Sequence, residues 1–270
     1  MIEPPDEIEF IPTKGHSRFE ELARACTAYR YIGVCHGRPG VGKTRSAQEF
    51  AKWPATDEYP LLDPLGRKQQ AQFRACQAVF YTATVANTPK MLHEGLWRSI
   101  YRLGHAKLRL AKRGDEDFCM TNAESSCPLV IVDEADRLTL KSFEELRDMY
   151  DRCRFGLILL GMPGLEKRLA RYPQFYSRIG FVHEFKPLSD VEMRFTFEKH
   201  WSALGIKFDS DKFTDVEAMT AAMRITRGNF RLIERLFAQI RRIMAVNNVQ
   251  ELSVEVVESA RECLVIGIHD

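Results

Sequence analysis

The sequence contains, at residues 37–44, the stretch Gly37-Arg38-Pro39-Gly40-Val41-Gly42-Lys43-Thr44, which matches the pattern G-x-x-x-x-G-K-[ST] at every fixed position. In this pattern the glycines let backbone N–H groups surround phosphates, the lysine brings a positive charge to them, and the hydroxyl can bind Mg²⁺. A buried strand before the pattern and a helix after it complete the site, because the helix N-terminus adds partial positive charge. Residues 31–35 predict that strand, and residues 45–52 predict that helix. We therefore predict that residues 37–45, Arg45 included, bind ATP or GTP, and that Lys43 also assists catalysis at the β- and γ-phosphates.

The segments after this loop alternate between apolar strands and helices. Strands are predicted at residues 78–82, 129–132, 155–160 and 182–185. Continuous apolar strands separated by helical segments indicate a parallel sheet covered on both faces. Residues 54–77 contain three prolines and Gly66, and predict a surface loop. The predicted fold class is therefore α/β, with a parallel sheet flanked by helices.

After Pro187 the pattern becomes helical only. Ser189 and Glu192 have the spacing of a capping box, and the helix they begin is predicted to run to Gly205. A further helix is predicted to start near Asn229, and Ser253 is predicted to cap the last one. We divide the chain into an N-terminal segment with a lead-in helix (1–29), an α/β nucleotide-binding domain (30–187) and a helical lid (188–270).

The composition is that of a globular protein in a reducing compartment. Of the 270 residues 45% are hydrophobic and 28% are charged, and no apolar run approaches the roughly 18 residues that span a membrane. The seven cysteines are scattered, without zinc-site spacing, which predicts free thiols and a cytoplasmic location. A net charge of +2 does not indicate nucleic-acid binding by the whole surface, so such binding would depend on local patches.

The predicted strand at residues 129–132 ends in two carboxylates, Asp133 and Glu134. An acid at the carboxyl end of a buried strand lies beside the phosphate loop in such sheets, so Asp133 and Thr44 are predicted to hold Mg²⁺. Glu134 is predicted to orient the attacking water or take its proton. Residues 133–136 also spell the Asp-Glu-Ala-Asp tetrapeptide of a helicase superfamily, but those enzymes need two tandem sheet domains and this sequence predicts one.

Phosphoryl transfer also needs positive charge near the γ-phosphate, often an arginine from a neighbouring subunit. Our candidate is Arg178, which follows the predicted strand at 155–160, and Arg168 and Arg171 are alternatives. Arg231 begins the main helix of the lid, where it could reach the nucleotide.

Residues 95–114 contain no acidic side chain. Basic residues recur there at helical spacing, and two more basic residues lie nearby, which gives the set Arg98, Arg102, His105, Lys107, Arg109, Lys112 and Arg113. We call this set the basic stripe. Such a face fits a row of nucleic-acid phosphates, but it also fits a solvated helix that meets acidic protein surface.

Together these motifs resemble the AAA+ ATPases, and within them the DNA-transposition regulators known as MuB, TniB and TnsC. The resemblance runs from about residue 30 to residue 245. Its most specific parts are residues 132–138, residues 143–148 and the strand that ends at Leu160-Gly161. The surroundings of Arg178 and the stretch Gly228-Asn229-Phe230-Arg231 match the family's arginine finger and second sensor.

The resemblance implies an AAA+ ATPase with ATP as substrate and Mg²⁺ as its metal. It implies that Glu134 is catalytic, that Arg178 acts across a subunit interface and that Arg231 contacts the nucleotide. It also implies a homo-oligomer, as a filament or ring, on the backbone of duplex DNA, with the basic stripe toward the phosphates. No membrane partner is expected, because no apolar run is long enough to span a bilayer. Its protein partners would be a transposase and a target-selecting protein. The protein would be located in the bacterial cytoplasm, and on the nucleoid when it is bound to DNA.

One position departs from the family pattern. The residue after Gly161 is usually small and polar and helps to position water, whereas this sequence has Met162, whose thioether is a poor hydrogen-bond partner. Either hydrolysis is slow, or another residue positions the water. Residues 10–13 are a candidate for the adenine pocket.

Three relatives share the core motifs. A replication-type ATPase would carry a winged-helix domain after the lid, and a secretion-linked ATPase would carry a membrane anchor; neither is expected here. A helicase loader of about this size remains an alternative. A nucleotide-gated signalling switch that does not bind DNA is an alternative of a different class.

Overall fold

A computed structural model describes residues 10–53, 66–110 and 127–264. The described chain divides into two compact units. The sheet unit comprises the described residues of Lys14–Gly37 and Lys43–Phe185. The helical unit comprises the described residues of Met1–Thr13, Arg38–Gly42 and Lys186–Asp270.

The sheet unit alternates strands and helices. In chain order its described elements are α1 (Lys14–Tyr29), β1 (Ile32–Gly37), α2 (Lys43–Ala51), α3 (Arg67–Ala75), β2 (Val79–Thr82), α4 (Pro89–Leu110), β3 (Leu129–Asp133), a 3-10 turn (Ala135–Arg137), α5 (Leu140–Cys153), β4 (Gly156–Gly161), α6 (Leu165–Ala170), α7 (Pro173–Tyr176) and β5 (Ile179–Phe185).

The five strands form one parallel sheet in the order β2-β3-β4-β1-β5. Every residue of β3 and β4 is buried, which is the pattern of central parallel strands covered on both faces. Because all strands run in one direction, the phosphate loop after β1 and the carboxylates after β3 leave the same edge of the sheet. The structure confirms the predicted fold class.

The helical unit contains α8 (Asp190–Ala203), α9 (Phe213–Thr226), α10 (Phe230–Asn247) and α11 (Val254–Glu262). Both parts of the predicted capping box at Ser189 and Glu192 are formed, and the Asn229 side chain caps α10 by accepting from the backbone N–H of Leu232 at 3.2 Å. The core of this unit surrounds Trp201, Phe197 and Ile233. Ser253 precedes α11, but its side chain makes no capping hydrogen bond.

The prediction of a loop over residues 54–77 was wrong for its second half, because α3 occupies Arg67–Ala75. Lysine, glutamine and alanine favour helix, and the Gln69 side chain accepts a hydrogen bond from the Gly66 N–H at 2.7 Å at the start of α3. The prolines and Gly66 in this segment favour turns, and this signal is stronger than the helix propensity of the residues that follow.

The structure bears on two other sequence predictions. Six cysteines fall in the described residues and all are free thiols, four of them buried, while Cys119 lies outside the described residues. Among the described residues no helix combines the length and the apolarity needed to span a bilayer.

Candidate functional site: a nucleotide-binding edge of the sheet

The phosphate loop has the backbone that its glycines predict. Gly40 has φ +79° and Gly42 has φ +94°, a region that other residues adopt only with strain. Helix α2 begins at Lys43, directly after the loop, so the first residues of a helix meet the predicted phosphate site. Arg38, Pro39 and Arg45 are exposed.

The Lys43 side chain folds back along the loop. Its Nζ donates a hydrogen bond to the carbonyl oxygen of Gly37 at 2.6 Å. The ammonium group is therefore held at the loop, where a bound phosphate would meet it, rather than extended into solvent.

Thr44 and Asp133, the two predicted Mg²⁺ ligands, are brought together within the sheet unit. The Thr44 hydroxyl donates to Asp133 Oδ2 at 2.8 Å, and Asp133 Oδ1 accepts from the Glu134 N–H at 2.9 Å. Asp133 is buried, with 4% of its surface exposed. A hydroxyl beside a carboxylate is a pair of hard oxygen donors, so these residues fit Mg²⁺.

Glu134 has a left-handed backbone, with φ +55° and ψ +38°. Every other described non-glycine residue with positive φ directly follows a helix, where this conformation is common: Arg30, Lys52, Arg154, Arg227 and Asn248. Glu134 instead lies between a strand and a 3-10 turn. Strain of this kind, on the order of 1–3 kcal/mol, concentrates at functional sites.

The Glu134 side chain is accessible and lies near the Arg137 guanidinium group. Its Oε2 lies 3.5 Å from Nη2 of Arg137, and 41% of the side chain is accessible. Arg137 also donates from Nη1 to the carbonyl oxygen of Ala83 at 3.0 Å. Arg137 therefore connects the predicted catalytic glutamate to the chain segment after β2.

Met162, at the first-sensor position, is 38% exposed. Its backbone N–H donates to Asp136 Oδ1 at 3.0 Å, so Asp136 fixes the chain where β4 ends. This role explains the second aspartate of the Asp-Glu-Ala-Asp tetrapeptide without helicase chemistry.

Within the helical unit, the start of α10 contacts the phosphate loop. Asn229 Nδ2 donates to the carbonyl oxygen of Pro39 at 3.0 Å, and the Arg231 N–H donates to the carbonyl oxygen of Gly40 at 3.4 Å. The Arg231 side chain is exposed. Phe10–Thr13, the candidate adenine segment, belongs to this unit as well.

The three candidate finger arginines differ in their surroundings. Arg168 donates to the carbonyl oxygens of Asp136 and Leu138 and lies over the Phe143 ring, so it stabilises the turn after β3. Arg171 is exposed. Arg178, directly before β5, donates to both carboxylate oxygens of Asp151.

Helix α4 carries the described part of the basic stripe. Arg98 is exposed, and Arg102, His105 and Arg109 are half-buried. The buried side of α4 comprises Leu92, Leu96, Ile100, Leu103, Gly104 and Ala106. Trp97, Tyr101 and Leu108 are half-buried. Lys112 and Arg113 lie outside the described residues.

Lys107 lies apart from the rest of the stripe. It follows Leu103 and Ile100 by four and seven residues, which places it toward the buried side of α4. Burial raises the pKa of the Cys127 thiol to about 12, and the nearby positive charge of Lys107 partly offsets that rise.

The sequence reasoning missed three contacts of this site: Asn229 with the loop, Arg137 with Glu134, and Asp151 with Arg178. Arg137 follows Glu134 by three residues, so helical spacing could have indicated that pair. The partners of Asn229 and Asp151 are 190 and 27 residues away, and no local pattern encodes them.

Comparison with known sequences gives a family for this chain. A family model described as "AAA domain" matches residues 26–169. A Staphylococcus aureus protein described as a "Potential ATP-binding protein" is 42% identical over 267 residues, which cover 96% of this chain and 98% of that protein.

Two more distant relatives have more specific names. The Mu-like prophage FluMu DNA transposition protein B of Haemophilus influenzae is 22% identical over 245 residues, covering 88% of this chain and 74% of that protein. The ATP-dependent target DNA activator B of Escherichia phage Mu is 26% identical over 240 residues, covering 86% of this chain and 68% of that protein.

Solved structures match the fold. The Thermotoga maritima RuvB Holliday junction branch migration motor has a TM-score of 0.57 at 17% identity and covers 97% of this chain and 72% of that chain. Domain III of the Thermotoga maritima replication initiation protein DnaA has a TM-score of 0.56 at 13% identity. The match covers 96% of this chain and 98% of that chain. At such identities the likeness shows the fold alone. From the family match and the sequence relatives, the chain belongs to the AAA domain family, as an AAA+ ATPase with distant relatives among the Mu-type transposition B proteins.

Proposed function

We propose that this protein is an ATP-dependent, DNA-binding regulator of transposition. It assembles on duplex DNA as a filament or ring, marks the target and recruits or activates a transposase, and ATP hydrolysis controls how long the assembly persists. One observation carries this proposal: the chain matches, over most of its length, two relatives named as a DNA transposition protein and an ATP-dependent target DNA activator.

The arrangement at the edge of the sheet supports ATP as the substrate. Residues 37–45 bind the phosphates, and Lys43 provides the charge that faces the β- and γ-phosphates. Thr44 and Asp133 would hold Mg²⁺, which would neutralise charge on the phosphate oxygens. Glu134 orients the attacking water or takes its proton, a role that its strained backbone and accessible carboxylate support.

Two arginines complete the proposed site. Arg231 contacts the nucleotide, a role that the backbone contact of Arg231 with Gly40 supports. Arg178 acts in trans, on the nucleotide of a neighbouring subunit. Each active site is then shared between two copies, so hydrolysis depends on assembly.

The basic stripe, including Lys107, Lys112 and Arg113, is the proposed contact with duplex DNA. Exposed Arg98 and the half-buried basic residues of α4 would neutralise backbone phosphates. Backbone contacts carry little sequence information, so a partner protein would choose the target. The protein would then work in the bacterial cytoplasm, on the nucleoid when DNA-bound.

Electron microscopy of the purified protein tests the proposal. The protein is imaged with duplex DNA, with and without a non-hydrolysable ATP analogue. We expect filaments or rings on DNA only when the analogue is present. Particles that are indifferent to DNA would overturn the proposal and favour a nucleotide-gated switch.

Lys43→Ala and Lys52→Ala make a matched pair for this experiment. Both lysines belong to the α2 region, but Lys52 pairs with Glu49 at the far end of the helix. Lys43→Ala should lose DNA-bound oligomers together with hydrolysis, because the subunit interface then has no nucleotide to close on. Lys52→Ala should keep both. Oligomers that survive in Lys43→Ala would separate assembly from ATP binding.

A further inference from the structure

The guanidinium group of Arg178 is fixed by contacts within its own subunit. Its Nε donates to Asp151 Oδ1 at 2.7 Å and its Nη2 donates to Asp151 Oδ2 at 2.9 Å. Its Nη1 donates to the backbone carbonyl oxygen of Gln174. Asp151 lies on α5, so the pair joins this helix to the residue that precedes β5.

These contacts leave part of the guanidinium group available. An arginine has five N–H donors, and Asp151 with Gln174 accepts from three of them. With respect to the residues that the structure describes, one N–H remains on Nη1 and one on Nη2. The Asp151 carboxylate and the Gln174 carbonyl oxygen together fix the plane of the group and leave two donors for a further anion.

Asp151 is itself held in place. Arg147, one turn earlier on α5, donates from Nη1 to Asp151 Oδ2 at 2.9 Å and from Nε to Glu144 Oε2 at 3.0 Å. The carboxylate that receives Arg178 therefore has a defined position on its helix.

The exposure of the pair argues against a purely stabilising role. The Arg178 and Asp151 side chains are 31% and 32% accessible. Ion pairs that are this accessible contribute little to the free energy of folding, because water screens them. At an accessible position, a bidentate pair holds a long, flexible side chain in one orientation.

We propose that Asp151 is a positioning residue, which holds Arg178 so that its two remaining N–H groups point to the γ-phosphate of ATP on a neighbouring subunit. This inference rests on the proposed trans role of Arg178. A free arginine carries about 2 kcal/mol of rotamer entropy, which corresponds to about thirty-fold in rate. Because Asp151 orders the side chain before assembly, that cost does not fall on the catalytic step.

Mixed assemblies test this inference. The acceptor subunit is Arg178→Ala, which keeps Lys43 and Glu134 but offers no arginine. The donor subunit is Glu134→Gln, which keeps Arg178 but cannot complete its own hydrolysis. Each variant alone should hydrolyse ATP slowly, and the mixture should recover activity at interfaces where a donor arginine meets an acceptor site.

The decisive comparison adds Asp151→Asn to the donor. An amide has an NH2 donor in place of the second acceptor oxygen, so it cannot form the bidentate contact, and rescue should fall by about ten- to thirty-fold. Asp148→Asn is the matched control, because Asp148 is on the same helix and pairs with Arg152 at 2.6 Å. A donor with Asp148→Asn should rescue fully, and a donor with Asp151→Glu, which keeps the charge, should rescue in large part.

Two outcomes separate the inference from the function on which it rests. If the Glu134→Gln donor fails to rescue, Arg178 does not act in trans, and both the assignment and the inference fall. If donors with and without Asp151→Asn rescue equally, only the role of Asp151 falls. The donors with Asp151→Asn and Asp148→Asn should match the Glu134→Gln donor in ATP-analogue affinity and in unfolding temperature, whereas a merely structural role of Asp151 would lower the unfolding temperature by more than about 4 °C.

Discussion

The Asn229 side chain donates a hydrogen bond to the carbonyl oxygen of Pro39 at 3.0 Å, while its Oδ1 caps helix α10. One amide thus connects the helix that begins at Phe230 to the phosphate loop. Gly40 makes this approach possible, because a Cβ atom at that position would lie 2.2 Å from Asn229 Oδ1. The glycine therefore serves the contact with Asn229 as well as the backbone turn.

Gly40→Ala should lower nucleotide affinity by at least about tenfold. The new Cβ would displace Asn229 and would strain a backbone with φ +79°, at about 1–2 kcal/mol for the strain alone. Binding of a fluorescent ATP analogue and thermal unfolding measure the two effects.

Gly205→Ala is the matched control for this substitution. Gly205 has φ +76°, but no described atom lies within 4 Å of the position that its new Cβ would take. It should lose similar stability and keep nucleotide affinity. Replacing Asn229 by alanine in the Gly40→Ala background should restore part of the affinity. Equal affinities in Gly40→Ala and wild type would show that the close approach has no role in binding.

Glu134→Gln should keep ATP binding and lower turnover by about 10²–10⁴-fold, the usual contribution of a positioned acid or base. Glutamine has nearly the same shape, so the left-handed backbone should persist and folding should not change. Steady-state hydrolysis and equilibrium nucleotide binding check the two statements. Glu94→Gln, an accessible glutamate on α4, serves as control. Undiminished hydrolysis would remove Glu134 from the mechanism.

Met162→Asn or Met162→Thr should raise the turnover rate, because each provides a polar group where the thioether provides almost none. The side chain is 38% exposed and its backbone N–H is already bonded to Asp136, so a polar replacement should fold. Met162→Leu, which stays apolar, should leave the rate unchanged. A clear fall in the rate of the polar variants would mean that Met162 does not occupy the place of a missing sensor.

Arg98→Ala and Arg109→Ala should each weaken DNA binding and reduce the slope of log affinity against log salt by about 0.9, if each contacts one phosphate. Titrations of labelled duplex at several salt concentrations measure the slope. Lys90→Ala, at the N-terminal end of α4 and near Glu94, should leave the slope unchanged. If Arg98→Ala and Arg109→Ala both have the same slope as wild type, neither arginine contacts a DNA phosphate, and the proposal that α4 is the DNA-binding face is wrong.

The parts of the fold that could be predicted from sequence are those with a local signal. The glycines at positions 40 and 42 predict their own backbone, and the apolar runs predict β3 and β4 because both strands are buried on both faces. The side-chain caps at Ser189 and Asn229 have a similarly local signature.

The remainder depends on contacts that the chain makes only once it is folded. Helix α3 has a weak apolar face, with Phe73 as its buried residue, so the turn-forming residues before it give the stronger local signal. The orientation of Arg178 depends on Asp151, and that of Asn229 depends on Pro39. In each case the composition around one partner carries no information about the other.

His200→Phe should remove a pH dependence of stability from the helical unit. Burial, and secondarily the charge of Arg241, lowers the pKa of His200 from 6.5 to about 4, and its ring stacks on Phe237 at 4.5 Å. The folded state therefore favours the neutral form of His200. The contribution of the neutral ring to the free energy of unfolding is complete above pH 6.5 and is lost as the pH falls toward 4. Over this window the free energy of unfolding of wild type should fall by about 1.4 kcal/mol per pH unit relative to His200→Phe. Urea unfolding followed by tryptophan fluorescence at pH 7, 6 and 5 measures the difference, and a difference that stays constant would show that His200 is not held neutral by its burial.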